Sequence, residues 1–231
     1  MNKISKIYII NLDRRPDRYE HFLKECDNNN IDFSKIKRFE ALDGNSYIFS
    51  EEEKQMFINV DYRYEKYSKR IMGNQLSHYY ILKEMIKNKY NYIIIFQDDI
   101  KLRKNFNSEI EKLMDNIPLN AEIINIGFHK FASYNIFIEW DLNQCDEEET
   151  MVKKNINKSV CILNDTVNPC SLGYIVTLQG AKNLVNYFDN IGFLRATDWN
   201  YNDYLNSKNI FYGSRLVLCT GNANFISDIF I

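Results

Sequence analysis

The stretch "NYIIIFQDDIKL", residues 91–102, sets two carboxylates side by side at the end of an apolar run. Tyr92 to Phe96 are aromatic or branched aliphatic, and Gln97, Asp98 and Asp99 follow at once. Adjacent carboxylates repel, and a buried one is costly unless it is paired or bound to a metal. In an α/β sheet, ligands bind beyond the C-terminal ends of the strands. Two carboxylates at such an end could coordinate a hard divalent cation, Mn2+ or Mg2+, and the cation would neutralise a diphosphate. A plain strand-to-loop turn with Asp as its capping residue is the other reading. A phosphohydrolase with an aspartyl nucleophile is a poor match. That chemistry wants Asp-x-Asp directly after the strand, and Ile100 stands two residues after Asp98.

Neither G-x-x-x-x-G-K-[ST] nor G-x-G-x-x-G occurs in the chain, so a bound nucleotide would need metal and arginines to hold its phosphates. "NLDRRPDR" supplies Arg14, Arg15 and Arg18 just after the first apolar run, and guanidinium forks match phosphate oxygens. The same residues also read as a solvated helix start. His78 precedes Ile81 and Leu82 by three and four residues, which predicts a buried, hydrogen-bonded core histidine. Three histidines and five scattered cysteines without a C-x-x-C pair give no His/Cys metal site and no Cys-His catalysis. The cysteines read as reduced thiols.

The elements that must position these groups alternate. "KIYIINL" predicts a strand, and "RRPDRYEHFLKECDNN" a helix with Pro16 in its first turn and Asp13 as N-cap. "IKRFEALDG" predicts a strand closed by the Asp43-Gly44 turn, and Ser50 with Glu53 a capping box. "NQLSHYYILKEMIKNKY" is an amphipathic helix leading into the strand at Tyr92. Further on, "FNSEIEKLMDNI", "QGAKNLVNYF" and "TDWNYNDYLNSK" predict helices, and "AEIINIGF", "GYIVTL" and "FYGSRLVLC" predict strands. The pattern is that of an α/β sandwich with a mostly parallel sheet. Residues 129–167 break the rhythm with an acidic cluster followed by lysines. They read as an insertion over one face of a single 231-residue domain, either a solvated loop or a flap at the substrate.

Composition narrows the function. The chain is 45% hydrophobic and 26% charged, with net charge −2, so it lacks the basic excess of a nucleic-acid surface. No apolar run approaches the roughly 20 residues that span a bilayer. The apolar patch Ile7–Ile10 is too short for a secretory signal core, which predicts a cytosolic protein. The chain is rich in Asn, Ile, Lys and Tyr, a coding bias that leaves individual asparagines little weight.

In order along the chain, "IYIINLDRRPDRYEHF", "FEALDG", "GNQLSHYYILKE", "YIIIFQDDI", "NPCSLGYIVTLQGAKNLV" and "FISDI" resemble the motifs of glycosyltransferase family 25. That family holds bacterial lipooligosaccharide galactosyltransferases and procollagen galactosyltransferases. The resemblance implies a GT-A fold, a mixed, mostly parallel sheet flanked by helices, binding a UDP-sugar through Mn2+ or Mg2+. Asp98 and Asp99 would ligate the cation, with Asp228 completing its shell. Asn11, Leu12, Arg14 and Arg18 would surround the nucleotide, and Ala41 and Asp43 would face uracil or ribose. Gln97 stands where the family carries Glu, and it would hydrogen-bond a ribose hydroxyl without serving as an anionic ligand. Asp198 matches the family's late acid and would be the general base, and Trp199 could stack on a sugar ring. The implied donor is UDP-glucose or UDP-galactose. The acceptor is a glycan or a collagen-like protein, with hydroxylysine or its galactosyl form favoured because no basic residue follows Arg215. A non-catalytic relative that binds the same partners is the alternative.

Overall fold

The computed structural model describes residues 1–60, 69–128, 130–133, 136–138, 142, 151–164, 170–225 and 228. In chain order the strands are β1 (Lys6–Asn11), β2 (Ile36–Glu40), β3 (Tyr92–Gln97), β4 (Ile100–Leu102), β5 (Ile123–Asn125), β6 (Lys130–Ser133), β7 (Ile136–Ile138), β8 (Val152–Asn155), β9 (Val160–Leu163), β10 (Gly173–Thr177), β11 (Tyr212–Ser214) and β12 (Cys219–Gly221). The helices are α1 (Pro16–Asn28), α2 (Glu51–Gln55), α3 (Lys69–Asn88), α4 (Phe106–Met114), α5 (Leu178–Ile191) and α6 (Thr197–Ser207).

Eight strands make one sheet in the order β2-β1-β3-β10-β5-β11-β9-β8. The pairings β1–β2, β1–β3 and β5–β11 are parallel, while β10 runs against both β3 and β5. With β9 also reversed, β10 and β9 run one way and the other strands of this sheet run the other. The sheet is therefore mixed and mostly parallel, flanked by helices, as the alternation predicts. Its central strands are covered on both faces. Ile93 to Phe96 and Ile7 to Ile9 are fully buried, which is why these strands read as unbroken apolar runs.

Three local expectations are corrected. Asp13 does not cap α1. Pro16 fixes the first helical position, so Arg15 takes the N-cap place with no side-chain cap bond. Asp13 instead accepts from Arg38 Nη2 at 2.5 Å. The single strand expected over "FYGSRLVLC" is two, β11 in the main sheet and β12 paired antiparallel with β4. Between them Arg215 N donates to the Ser159 carbonyl, and Leu218 N to that of Ile126, which carries the chain from one sheet to the other. The strand over "IKRFEALDG" stops at Glu40, leaving Ala41 to Gly44 as a loop.

Other expectations hold. Ser50 and Glu53 form the reciprocal capping box, with Glu53 N to Ser50 Oγ at 3.2 Å and Ser50 N to Glu53 Oε2 at 2.7 Å. His78 is buried and hydrogen-bonded through Nδ1 to the Tyr174 hydroxyl at 2.6 Å. Cys26, Cys161, Cys170 and Cys219 stand outside any disulfide, while Cys145 lies outside the described residues. Much of the stretch 129–167 also lies outside them. Of its described parts, β6 and β7 pair antiparallel with each other, and β8 and β9 pair at one edge of the main sheet. No helix among the described residues is long and apolar enough to cross a membrane.

Candidate active site

The site forms where β1 and β3 end together. Ile10 lies opposite Gln97 in their parallel register, so the residues after both strands leave the sheet on the same edge. Asp98 and Asp99 follow β3 there, and the arginines of the β1–α1 turn come back over them. Arg18 reaches this edge from the first turn of α1 and is only 4% exposed. Its Nη1 lies 3.0 Å from Asp98 Oδ1 and 3.5 Å from Asp99 Oδ2, and its Nη2 lies 3.0 Å from Asp228 Oδ2. Asn11 is fully buried behind this cluster. Its Nδ2 donates to Asp98 Oδ2 at 2.6 Å and to the Arg15 carbonyl at 2.8 Å, while its Oδ1 accepts from Arg38 Nε at 2.8 Å. Asn11 thus orients Asp98 and the arginine turn, and it does not itself line the cleft.

Electrostatics separates the four carboxylates. Burial, with the Asp99 charge adding to it, pushes Asp98 up to about 6 against the opposing pull of Arg18. Burial raises Asp99 too. Burial would also raise Asp43 and Asp228, but Arg14 beside the first, and Arg14, Arg18 and Arg15 around the second, outweigh it and hold both low. Arg14 Nε donates to Asp43 Oδ2 at 2.8 Å and Arg14 Nη1 to Asp228 Oδ1 at 2.5 Å.

The opposite wall is the Ala41–Gly44 loop seated on the start of α3. Leu42 N donates to Ser77 Oγ at 3.0 Å, and Ser77 Oγ donates to the Gly73 carbonyl at 2.7 Å. Two glycines permit the contact. A Cβ on Gly73 would sit 2.2 Å from the Leu42 carbonyl oxygen, and one on Gly44 would sit 1.9 Å from that of Lys69. "FEALDG" and "GNQLSHYYILKE" are therefore two halves of one backbone junction.

Between the walls lies a cleft open to solvent. Of the residues singled out in the sequence, Leu12, Arg14, Arg18, Ala41, Asp43, Gln97, Asp98, Asp99 and Asp228 line it together. Arg70 and Asn74 also line it and were not anticipated. Gly73 and Ser77, in the same helix motif, were the available signal. Gln97 Nε2 donates to Ser171 Oγ at 3.2 Å and to the Cys170 carbonyl at 3.4 Å. Asp198 is outside the lining. It sits in the first turn of α6, accepts from Trp199 N at 3.0 Å, and follows Thr197, which donates to the cleft residue Asn74 at 3.0 Å. Burial first, and then the charges of Asp198 and Asp99, push the Cys170 thiol well up. Trp199 is half-buried under the Arg195 guanidinium, 4.2 Å from the ring centre.

Among the described residues no three Asp, Glu, His or Cys side chains are gathered as a ready metal centre. The donors present are nevertheless hard oxygens, and Asp99 Oδ1 is buried with no hydrogen-bond partner. Such an orphaned carboxylate oxygen fits Mg2+ or Mn2+, which commonly takes one or two protein carboxylates and completes its shell from phosphates and water. Both oxygens of Asp98 and of Asp228 are already engaged.

Residues 4–201 match the model of glycosyltransferase family 25, described as an LPS biosynthesis protein family. The chain belongs to glycosyltransferase family 25. It is 30% identical to human procollagen galactosyltransferase 2 over 192 residues, 78% of this chain and 27% of that protein. It is 27% identical to a glycosyltransferase 25 family member of Aedes aegypti, over 79% of this chain and 28% of that one. A probable inactive glycosyltransferase 25 family member 3 of Bos taurus is 25% identical over 78% of this chain and 28% of its own length. The chain thus spans little more than a quarter of these curated relatives.

Proposed function

We propose that this chain is a glycosyltransferase that moves a hexose from a UDP-sugar to a hydroxyl acceptor, with a divalent cation in the cleft. The observation that carries the reading is the convergence of Arg14, Arg18, Asp98 and Asp99 on one cleft at the ends of β1 and β3, in a chain of this family. Arg14 and Arg18 take the donor diphosphate, since guanidinium forks match its oxygens. Asp99 holds Mn2+ or Mg2+ through its unpartnered oxygen, with Asp98 beside it. When bound, the cation supplies Lewis-acid stabilisation of charge on the departing UDP. Leu12, Ala41 and Asp43 receive the uridine, and Gln97 donates to or accepts from a ribose hydroxyl. Asp198 serves as the base for the acceptor hydroxyl, from its place beyond Asn74.

The relatives named for procollagen support a collagen-like acceptor carrying hydroxylysine or galactosyl-hydroxylysine. The family's description supports a lipooligosaccharide acceptor as the other case. A non-catalytic binder is the second reading. The amide of Gln97 where the family carries Glu favours it, as do relatives named inactive.

A screen of UDP-glucose and UDP-galactose for UDP release, with collagen-like peptide and with Mn2+ or chelator, tests the proposal. Cation-dependent release that Asp99→Asn removes, with its circular dichroism unchanged, supports transfer. Calorimetry showing cation-dependent UDP binding without turnover on either donor supports the binder. Wild-type UDP affinity in excess chelator refutes the cation's role.

A further inference from the structure

Asp228 occupies the cleft from the far end of the chain. Its Oδ1 accepts from Arg14 Nη1 at 2.5 Å, and its Oδ2 accepts from Arg15 Nη1 at 2.5 Å and lies 3.0 Å from Arg18 Nη2. One carboxylate therefore holds three guanidiniums, two of them assigned above to the diphosphate. Carboxylate and phosphate oxygens engage the same forks in the same way. A phosphate oxygen that takes the N–H groups now on Asp228 must displace its carboxylate from them.

The structure also shows what delivers this carboxylate. β12 pairs with β4 directly after the two aspartates, and the next residue, Asn222, donates its N–H to the Asp99 carbonyl at 2.7 Å. Asn222 Nδ2 lies 3.1 Å from His21 Nε2. Phe225 sets its ring edge against His21 with centroids 5.3 Å apart, and the Arg18 and Arg15 guanidiniums lie 5.4 and 5.7 Å from its centre. Phe225 is thus held against His21 and the two arginines, and Asp228 follows three residues later in the sequence.

We infer that Asp228 is an internal competitor for the diphosphate site, pairing with Arg14, Arg15 and Arg18 and yielding them when a nucleoside diphosphate binds. The inference rests on the reading of the cleft as a donor site. Binding is then an exchange of ion pairs. Each contact the diphosphate gains is offset by one the tail gives up, and the returning carboxylate helps to displace UDP.

Calorimetry with inorganic pyrophosphate, in metal-free buffer at low ionic strength, tests this without any glycosyl transfer. Asp228→Asn keeps the shape of the side chain and removes its charge, and thermal melting checks its fold. Asp228→Ala is the second variant. The variants should bind pyrophosphate at least about tenfold more tightly than wild type, the worth of one competing charge-assisted hydrogen bond. Arg14→Gln added to Asp228→Asn should reverse the gain. Equal or weaker binding by both variants, or binding by no form of the protein, overturns the inference. If Asp228 were instead a cation ligand, its loss would weaken only cation-supported binding. A pyrophosphate gain without turnover of any UDP-sugar would keep the competitor and remove the glycosyltransferase reading. Turnover without the gain would do the reverse.

Discussion

Replacing Arg18 by Met should be among the most damaging single changes outside the apolar core. The side chain is 4% exposed and faces carboxylates at 3.0, 3.5 and 3.0 Å. Asp98, its nearest partner, has a side chain only 8% exposed, so solvent cannot take over the screening. Removing one member of a buried ion pair costs about 3–5 kcal/mol, because the partner charge stays behind without compensation. For a domain of this size each kcal/mol shifts the melting temperature by roughly 2–4 °C, so the midpoint should fall by roughly 6–20 °C. Arg14 provides the internal comparison. It also pairs with Asp228 and with Asp43, but its side chain is 43% exposed. Exposed pairs contribute about 0–1 kcal/mol, so Arg14→Met should leave stability nearly unchanged while weakening diphosphate binding. Urea titrations of the two variants, followed by circular dichroism, give both numbers. An Arg18→Met protein within about 1 kcal/mol of wild type, or an Arg14→Met protein as damaged as Arg18→Met, would refute the view that burial of the cluster sets its worth.

Gly73→Ala should destabilise the chain by about 1–3 kcal/mol and raise KM for the donor, because the new Cβ would meet the Leu42 carbonyl oxygen at 2.2 Å. Helix propensity alone predicts the opposite sign, so a stabilised variant with unchanged KM would dismiss the junction. His78 is depressed by burial from 6.5 to about 3, so its contribution is present above pH 6.5 and is lost as pH falls toward 3. At pH 5 that loss is about 2 kcal/mol, and His78→Gln should flatten the stability profile between pH 7 and 5 by this amount; parallel profiles would contradict it. Asp198→Asn should lower kcat for transfer by roughly 100- to 10,000-fold at unchanged donor KM, as removal of a general base does. A near-normal rate would pass the role to Asp203.

What could be read in advance followed local signals. The Asp98-Asp99 pair stood out because residue type changes abruptly at the end of a buried strand, and Arg14, Arg15 and Arg18 because they follow another. Their mutual geometry had no such signature. Asp228 meets Arg14 across 214 positions of sequence, and nothing local to either residue marks the pair. The break between β11 and β12 was hidden for a related reason: the apolar run continues through Leu216, Val217 and Leu218, so periodicity sees one strand while the hydrogen bonds belong to two sheets. Asparagines were concealed by abundance. In a chain rich in Asn no single one is conspicuous, yet Asn11 holds Asp98, Asn200 Oδ1 accepts from Leu194 N and Arg195 N, and the Asn222 amide meets His21 Nε2 and accepts from Asn224 N. Each is nearly or fully buried, where an amide must satisfy its donors and acceptor and therefore acts as a bracket between backbone segments. The motifs divide accordingly. "NLDRRPDR" and "FQDDI" carry charge into the cleft, whereas "FEALDG" and "GNQLSHYY" carry little chemistry of their own and hold its wall in place through Gly44, Gly73 and Ser77.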